Sequence, residues 1–534
     1  MSLLLFVGFF FFTIWLQAKL ERTVQKRSNG VYKLQLYGLQ ASPFTGLLSA
    51  DSLSLVPDYG RWQQLQQQQV AQTLLCLKSS HIELQGLSLI NVLFGRPLTL
   101  SLLEVQQPDL LVTVMREDTT QQQKPLYQTA QGILKGLQIG QIDVNSARLQ
   151  YRKGPDAAEN ILSIDFFDLT VDDFKLDSQS FQAPDRAYYA NKILVEAGKA
   201  SLLFPDGTYR GSTDSIYINT ESRALMAKQV KLKPTTDPAG LSRAKDRAVS
   251  YTELVVPEVR FSGLNYPAHS RHNNFIARHL LITGPELKAF KDKQNFENKG
   301  SKPLPHELAQ QIQTKFLLDS VEVNSCYIHY SELVPKAAKP GNISLQQLNI
   351  KMRNVSNMPA HISEKNPAVI QASGLVMGKL PMHLEVYMPL LNENGYHRIK
   401  GEIGSGNPEI LNPILGPTAF VRFESGHVSR GRFKVELNND RATGTFHLLY
   451  RNLEIELLSK GTGGEQSVGK EILSELASWL ALKDSNPAEQ GERPRVGKIN
   501  VSRNRENSVF SYWKDCLMDG FLSVAGLDAQ AEKL

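Results

Sequence analysis

The most enzyme-like pattern in the sequence is a glycine-rich stretch that ends in lysine. Gly464, Gly469 and Lys470 have the spacing of a phosphate-binding loop, with a strand-like segment before them and a helical one after. That motif needs a hydroxyl next to the lysine to hold magnesium, but Glu471 stands there and would face phosphate oxygens. We therefore interpret the glycines as a flexible joint and predict that no nucleotide is a partner.

Histidines and aspartates form two weaker clusters. His269, His272 and His279 lie in a polar segment, where the pattern favours a loop over a metal site. Five aspartates between residues 165 and 177 lack the glycine of a calcium-binding loop and favour a solvated strand face. The sequence therefore predicts no metal ligand.

The three cysteines are also unlike a functional site. Cys76, Cys326 and Cys516 are too dispersed for a zinc site or a disulfide framework, and we expect inert thiols, with a single bridge as the alternative. No Gly-x-Ser-x-Gly motif occurs, and no cysteine has a convincing histidine partner. We predict a non-enzymatic protein with no catalytic residue and no cofactor.

Length and charge bear on the number of domains and on the kind of partner. A chain of 534 residues is too long for one core and implies several domains. Its 59 Lys and Arg residues against 53 Asp and Glu residues leave a net charge of +6, which is too dilute to indicate nucleic acid as a partner.

The N-terminus carries the strongest local signal, an apolar run without charge before Lys19. As a helix, residues 2–20 would reach about 28 Å, enough to cross the hydrocarbon of a bilayer. A cleaved signal peptide needs an N-terminal basic residue, and a core helix usually has a polar face. We therefore predict a transmembrane anchor, formed by Leu3, Leu4, Leu5, Phe6, Val7, Phe9, Phe10, Phe11, Phe12, Ile14, Trp15 and Leu16.

The charges that flank this run bear on orientation. Lys19, Arg22, Lys26 and Arg27 all follow it, and the positive-inside rule would place that side in the cytoplasm.

The chain also repeats itself. Gly30, Val31 and Tyr32 reappear as Gly207, Thr208 and Tyr209, at an offset of 177 residues. Further landmarks at this offset pair Pro57 with Pro234, Gly86 with Gly263, Leu103 with Leu280, Val105 with Ile282 and Pro108 with Pro285. At an offset of 179, Asn145 pairs with Asn324, Tyr151 with Tyr330 and Ile164 with Ile343. Ordered landmarks at a nearly constant offset indicate a tandem duplication.

Each copy has the alternation of β-strands. Leu98, Leu100 and Leu102 alternate with polar residues, which is typical of a sheet with one apolar and one wet face. Helical spacing appears in the run from Trp62 to Leu77, from Val468 to Leu480, and in a last segment with Phe510, Trp513, Leu517 and Phe521. A basic loop is expected between the last two.

The leading apolar helix, the Gly30–Leu34 strand and the repeated sheet units with a Gly-Leu turn resemble the AsmA-like family of bacterial envelope proteins. Short motifs of the closing β segment add to the resemblance, such as Leu411–Ile414 and Leu449–Leu453. The resemblance covers about residues 1–460. It implies an inner-membrane anchor, a body in the periplasm and a long curved sheet that carries lipid acyl chains, similar in plan to bridge-like lipid transfer proteins.

The predicted fold is therefore mainly β, a duplicated long curved antiparallel sheet with an N-terminal transmembrane helix and C-terminal helices. The expected parts are an anchor (1–20), a first β repeat unit (21–200), a second (201–370), a C-terminal β segment (371–460) and a helical tail (461–534). The apolar face needs cover, and either a sandwich core or a groove for an apolar guest supplies it. The candidate lining residues of a groove are Ile82, Leu84, Leu98, Leu100, Leu102, Val259, Phe261, Leu280 and Ile282.

The leading functional hypothesis is an inner-membrane-anchored periplasmic protein of outer-membrane biogenesis. It would bind or transport phospholipid-like ligands, with membrane lipids and other envelope proteins as partners. The alternative hypothesis is a structural or interaction factor in envelope assembly that binds no ligand.

Overall fold

The structure is a computed structural model that describes residues 2–42, 45–65, 72–87, 97–116, 125–130, 136–157, 159–459, 482–489 and 491–526, with side chains from residue 12 onward. It is mainly β, which confirms the predicted class. Two compact units are present. Unit 1 comprises Met1–Val230 and Ser262–Asn274, and unit 2 comprises Lys231–Phe261 and Phe275–Leu534.

The strands follow one another along the chain with few helices between them. The first fourteen are β1 (Tyr32–Tyr37), β2 (Gln40–Ser42), β3 (Leu47–Ala50), β4 (Ser52–Pro57), β5 (Thr73–Ser79), β6 (His81–Gln85), β7 (Leu98–Gln106), β8 (Asp109–Val114), β9 (Leu137–Lys153), β10 (Leu162–Leu176), β11 (Lys192–Ala197), β12 (Ala200–Leu203), β13 (Tyr209–Thr213) and β14 (Ser215–Asn219). The others are β15 (Ala224–Pro234), β16 (Ser250–Ser262), β17 (Phe275–Thr283), β18 (Glu286–Asp292), β19 (Phe316–Leu333), β20 (Gly341–Ser356), β21 (Ala368–Val376), β22 (Leu380–Met388), β23 (His397–Ile403), β24 (Val421–Leu437), β25 (Arg441–Leu457) and β26 (Val496–Ser502).

Most of the described helices are short, and only the first and the last exceed two turns by much. They are α1 (Ser2–Arg27), α2 (Tyr59–Gln64), α3 (Leu126–Ala130), α4 (Ser178–Gln182), α5 (Pro238–Ala244), α6 (Tyr266–His272), α7 (Pro305–Gln311), α8 (Asn412–Ala419) and α9 (Val509–Val524), with a 3-10 turn at Pro408–Leu411.

The predicted antiparallel order is wrong at two long strands. β9 pairs in parallel with β7 and β8 and antiparallel with β10, and β19 does the same with β17, β18 and β20. A parallel neighbour needs a long connection, and α3 and α7 lie in the equivalent connections before β9 and β19. The sheet is therefore mixed in both copies.

Strand registers support the duplication in the described residues. Leu98 faces Leu137 in the first copy, and Phe275 faces Phe316 at the equivalent place in the second. Backbone positions with positive φ recur as well. The recurring pairs are Gly30 and Gly207, Gly46 and Arg223, Gly86 and Gly263, Gln107 and Gly284, Ser146 and Ser325, and Asp173 and Asn354.

One part of the sequence alignment of the copies is wrong by two residues. Tyr151 faces Leu162, and its counterpart Tyr330 faces Ile343, so β20 corresponds to β10 at an offset of 181 instead of 179. Asp168 and Asn349 agree with this offset, because each accepts a hydrogen bond from the backbone N–H of the bulged serine, at 2.7 and 3.0 Å. The alternation of apolar residues could not detect the slip, because a shift of two residues keeps every side chain on its face.

The last turns of α1 belong to the folded body. Gln17 donates to the backbone carbonyl of Leu36 at 2.7 Å, and the Glu21 carboxylate accepts from the Leu36 N–H at 3.1 Å. These side chains satisfy the backbone N–H and C=O of Leu36 as a neighbouring strand would. Gln17, which lies within the predicted anchor of residues 1–20, therefore contacts the sheet.

The N-terminal helix itself is confirmed, but a transmembrane helix is not. Within the part of the chain that the structure describes, no helix is long and apolar enough to cross a membrane. The predicted anchor residues Leu3 to Phe11 precede the first described side chain.

The C-terminal region departs from the expected loop and helices. The predicted basic loop contains β26, which pairs with β25 from Arg441–Ser502 to His447–Val496. The last predicted helix is confirmed as α9, which packs against β25 and β26. The predicted helix from Val468 to Leu480, like the glycine-rich stretch, lies outside the described residues.

The predicted helix from Trp62 to Leu77 is also wrong at its end. Of the described residues in this run, Trp62 to Gln64 belong to α2 and Leu74 to Leu77 belong to β5. Leu74 is fully buried with Trp62 and Leu65 in a small core of unit 1, so burial of alternate residues in a sheet prevails over helical spacing.

Candidate functional site

Two rows of apolar side chains run side by side across the sheet of unit 1, each formed by directly facing residues on successive strands. The first row is Ala50, Ile82, Val105, Val144, Leu169, Val195, Ile218 and Leu225. The second is Leu48, Leu84, Leu103, Ile142, Val171 and Ile193. Ala50 and Val171 are buried, and the other members are half-buried.

Unit 2 has two such rows, which together we call the unit 2 rows. The first is Ile282, Val323, Ile350, Ala372, Leu384, Gly401, Phe433 and Phe446. The second is Leu280, Val321, Met352, Ile370, Val386, Ile399, Val435, Gly444 and Ile499. They cross from β17 to the C-terminal strands.

Burial changes along the unit 2 rows. Near β26 the rows are a closed core, with Val386 at 0% exposure, and with Ile399, Val435 and Ile499 at 2%. There α9 covers them through Tyr512, Cys516 and Val524. On β17, β20 and β21 the members are half-buried, and most of them pack against the row members of β19, Val321 and Val323, which are 6% and 8% exposed. The same sheet face is therefore a protein core at one end and a partly accessible apolar surface at the other.

The structure brings together some of the predicted lining residues but not all. Ile82 and Leu84 lie in the unit 1 rows, and Leu280 and Ile282 lie in the unit 2 rows. Leu102 does not, because it faces Gln85 on β6, while its neighbour Leu103 faces Leu84. Successive strand residues point to opposite faces, so the Leu102 prediction is wrong and Leu103 lines the surface.

Leu98 and Leu100 belong to a different part of unit 1. They face Leu137 and Ile139, beyond a break in the β7–β9 ladder at Ser101 and Gly140. A side chain on Gly140 would lie 2.7 Å from the Ser101 carbonyl oxygen, so the backbones approach closely at the break. Leu100 is 8% exposed and is a core residue. The predicted line from Leu98 to Leu102 therefore spans two environments.

Val259 and Phe261 lie on β16 in unit 2 and are half-buried. The Phe261 ring packs edge-on against Phe275 with the ring centroids 5.3 Å apart.

Sequence reasoning missed Leu103 and Val105, together with their neighbours on β9 and β10. The signal was present, because Leu103 and Val105 are the repeat equivalents of Leu280 and Ile282. The repeat offset of 177 residues, applied to Leu280 and Ile282, predicts both residues, whereas the alternation within β7 does not.

Titratable groups near the rows are structural. All three cysteines are free. Burial raises the pKa of Cys326 and raises that of Cys516 to about 12, so both thiols stay protonated and weakly nucleophilic. Burial pushes the pKa of Glu332 upward, but hydrogen bonds from Lys293 and Tyr330 hold it below the usual range.

The other predicted clusters have structural roles too. His269 and His272 lie on α6 instead of a loop, and His269 Nδ1 is 2.6 Å from the Tyr188 hydroxyl. Asp173 pairs with Arg186 and Lys175. Among the described residues, no group of three or more His, Cys, Asp or Glu side chains could hold a metal ion.

A buried histidine links α9 to the sheet. His397 is 1% exposed, its Nδ1–H donates to the Gly395 carbonyl at 2.9 Å, and its Nε2 accepts from Trp513 at 3.1 Å. The Nε2 contact requires the neutral ring, because a protonated Nε2 cannot accept a hydrogen bond, and burial lowers the pKa of His397.

Unit 2 should therefore lose stability as the pH falls below about 6.5, the ordinary histidine value, because the unfolded chain then takes up a proton that the folded chain excludes. Urea unfolding followed at a series of pH values measures this loss. His397→Gln keeps a donor and an acceptor without titration and should flatten the dependence. An unchanged pH slope in this variant would contradict the assignment.

Comparison with known proteins gives no match to any protein-family model and no match to a curated protein. The function is therefore inferred from the apolar rows and from α1.

Proposed function

We propose that this protein binds the acyl chains of phospholipid-like molecules on the half-buried parts of its apolar rows. The observation that carries the proposal is the pair of adjacent rows in unit 1, in which directly facing aliphatic side chains continue over at least six strands. All but two members keep part of their surface exposed.

Such a surface suits a linear apolar ligand. A contiguous apolar strip exposed to water is costly, and each methylene buried on it contributes about 0.8 kcal/mol. The described members of the unit 1 rows are all apolar, so the contact selects for chain length and apolarity. A headgroup would remain in water at the edge of the sheet.

The setting we propose is the bacterial inner membrane, with the body in the periplasm and a role in outer-membrane biogenesis. Support comes from the apolar run Leu3–Leu16 ahead of the body and from the resemblance to AsmA-like proteins. The duplication of a long-stranded sheet unit agrees with that plan. Membrane lipids are the ligands, and other envelope proteins are further partners.

Lipid retention by paired variants tests the proposal. Leu103→Asp with Leu280→Asp places a carboxylate in the equivalent row of each unit. We expect co-purified lipid, measured by native mass spectrometry of detergent-purified protein, to fall at least about tenfold, the equivalent of about 1.4 kcal/mol of lost contact.

The matched control is Leu102→Asp with Leu281→Asp, which changes the adjacent leucines on the opposite face, where they face Gln85 and Glu322. We expect this control to retain lipid at the level of the unmodified protein. Absence of lipid from the unmodified protein, or equal loss in both pairs, would refute the proposal.

The second candidate is a structural factor of envelope assembly without a ligand. The closed core under α9 favours it, because there the rows are already covered by the protein's own helix. If this candidate is correct, both leucine pairs should lower stability without any change in bound lipid.

A further inference from the structure

From Trp15 onward, at the end of its apolar run, the helix α1 has two different sides. Gln17 and Glu21 bind the backbone of β1 on one side. Trp15, Lys19, Arg22 and Lys26 follow at helical spacing on another, and all four side chains are exposed. The Lys19 ammonium lies over the Trp15 ring, 4.6 Å from its centroid. A tryptophan followed by cations, directly after an apolar segment, is the pattern of a membrane–water interface.

A second element adds a cation to this stripe. A cleft of about 590 Å³ lies between the end of α1 and α2, and Arg22, Lys26, Asn29 and Arg61 are among its lining residues. Arg61 is held there, because its Nε donates to the Asn29 carbonyl at 3.2 Å and another guanidinium N–H donates to Gln64 at 3.1 Å. The cleft thus gathers three cations from two elements.

These cations lack acidic partners. Within the described part of the chain, neither Arg22 nor Lys26 takes part in an ion pair, whereas fifteen other lysine or arginine pairings do occur elsewhere, such as Arg186 with Asp173. Asp58 is near, but its carboxylate caps α2 by accepting from the Arg61 backbone N–H at 2.8 Å. Three unpaired cations around one cleft leave a local positive potential that an anion would neutralise.

The second copy supplies an internal comparison. Its equivalent helix, α5, is capped by Asp237 as α2 is by Asp58. Three residues after the cap, Gly240 stands in place of Arg61. Arg61 is therefore peculiar to the copy that lies next to α1, and the helix fold does not require it.

We propose that this cleft binds the phosphate group of an anionic lipid headgroup at the membrane surface. Arg22 and Arg61 offer planar guanidinium donors that match phosphate oxygens, and Lys26 adds a third charge. The exposed Trp15 and the apolar residues before it place the cleft at headgroup depth. The site is independent of acyl-chain binding on the rows, and it holds the body at the membrane surface.

Vesicle binding by the full chain tests the site. Phosphatidylcholine vesicles with and without added phosphatidylglycerol are incubated with protein, and bound protein is measured by flotation. We expect Arg22→Gln with Arg61→Gln to weaken binding to the phosphatidylglycerol vesicles about 25-fold, since each basic residue near such a surface contributes about fivefold. Arg148→Gln with Arg243→Gln removes two exposed charges that lie on β9 and α5 and do not line the cleft, and it should change binding less than about twofold.

Soluble ligands separate the two sources of phosphate. Glycerol phosphate and inorganic phosphate are titrated while their phosphorus NMR linewidths are followed. Broadening by both, lost in Arg22→Gln with Arg61→Gln, together with phosphatidylglycerol binding, supports the proposal. Binding of inorganic phosphate without vesicle binding would assign the cleft to free phosphate and overturn the lipid source. Equal loss in the control pair would overturn the site. Leu103→Asp with Leu280→Asp should keep vesicle binding, so that failure of either proposal is seen separately.

Discussion

Ile399→Asp is expected to prevent folding of unit 2, whereas Met352→Asp, in the same apolar row, is expected to leave it folded. Ile399 is 2% exposed and faces Val386 and Val435, so no water reaches its side chain. A carboxylate there lacks a partner and costs more than about 5 kcal/mol, a large part of the stability of a domain.

Met352 lies three strands away in the row and is half-buried between Val321 and Ile370. An aspartate at this position reaches water by a change of rotamer, and we expect a loss of about 1–2 kcal/mol. Urea unfolding of the two variants, followed by circular dichroism, gives both values.

The contrast between these variants distinguishes the sandwich core from the groove, the two packings that are both compatible with the sequence. If the sheet face were a sandwich core along its whole length, Met352→Asp would be as damaging as Ile399→Asp. If Met352 lies on an accessible surface, only Ile399→Asp prevents folding. Equal destabilisation would therefore remove the surface on which acyl-chain binding depends.

The second large effect is expected at the contact of α9 with β26. Gly497→Ala should lower the free energy of unfolding of unit 2 by about 3 kcal/mol. A Cβ atom on Gly497 would lie 2.3 Å from the Gly520 carbonyl oxygen and 2.7 Å from Val524 Cγ2. The first of these is a backbone atom of α9, so the helix as a whole must shift.

Hydrogen exchange can locate the damage of Gly497→Ala. The amides of α9 and β26 should lose protection, while those of β19 and β20 keep it. Gly416→Ala is the control, because its Cβ would meet only Leu458 Cδ1 at 3.6 Å. A Gly497→Ala variant with normal stability and protection would show that α9 does not depend on this close approach.

Much of the fold could be read from local pattern. Alternation predicted β7, and equal spacing predicted the duplication, which also appears in strand register and in positive-φ positions. Such features depend on neighbours two residues apart or on the chain's similarity to itself. The same local patterns failed at Leu77, where a strand stands in place of a helix, and in the basic segment that contains β26.

Local pattern predicted only part of the candidate site. Ile82, Leu84, Leu280 and Ile282 were predicted and do lie in the rows, while Leu102 was predicted and lies on the opposite face. Because positions 102 and 103 are both leucine, the sequence alone does not decide which of the two side chains lies on the face of the rows. The partner strand decides it, because Gln85 and Leu84 assign Leu102 and Leu103 to different faces.

The amino-acid sequence by itself determined the β class, the duplication, the helical N-terminus and the helix that closes the described chain, because each follows from periodicity within one segment. Only the tertiary structure decided which apolar residues share a face, where α9 covers them, and that Arg61 meets Arg22 and Lys26 at one cleft. These depend on register and packing between segments distant in sequence, where a shift of one residue reverses every side chain.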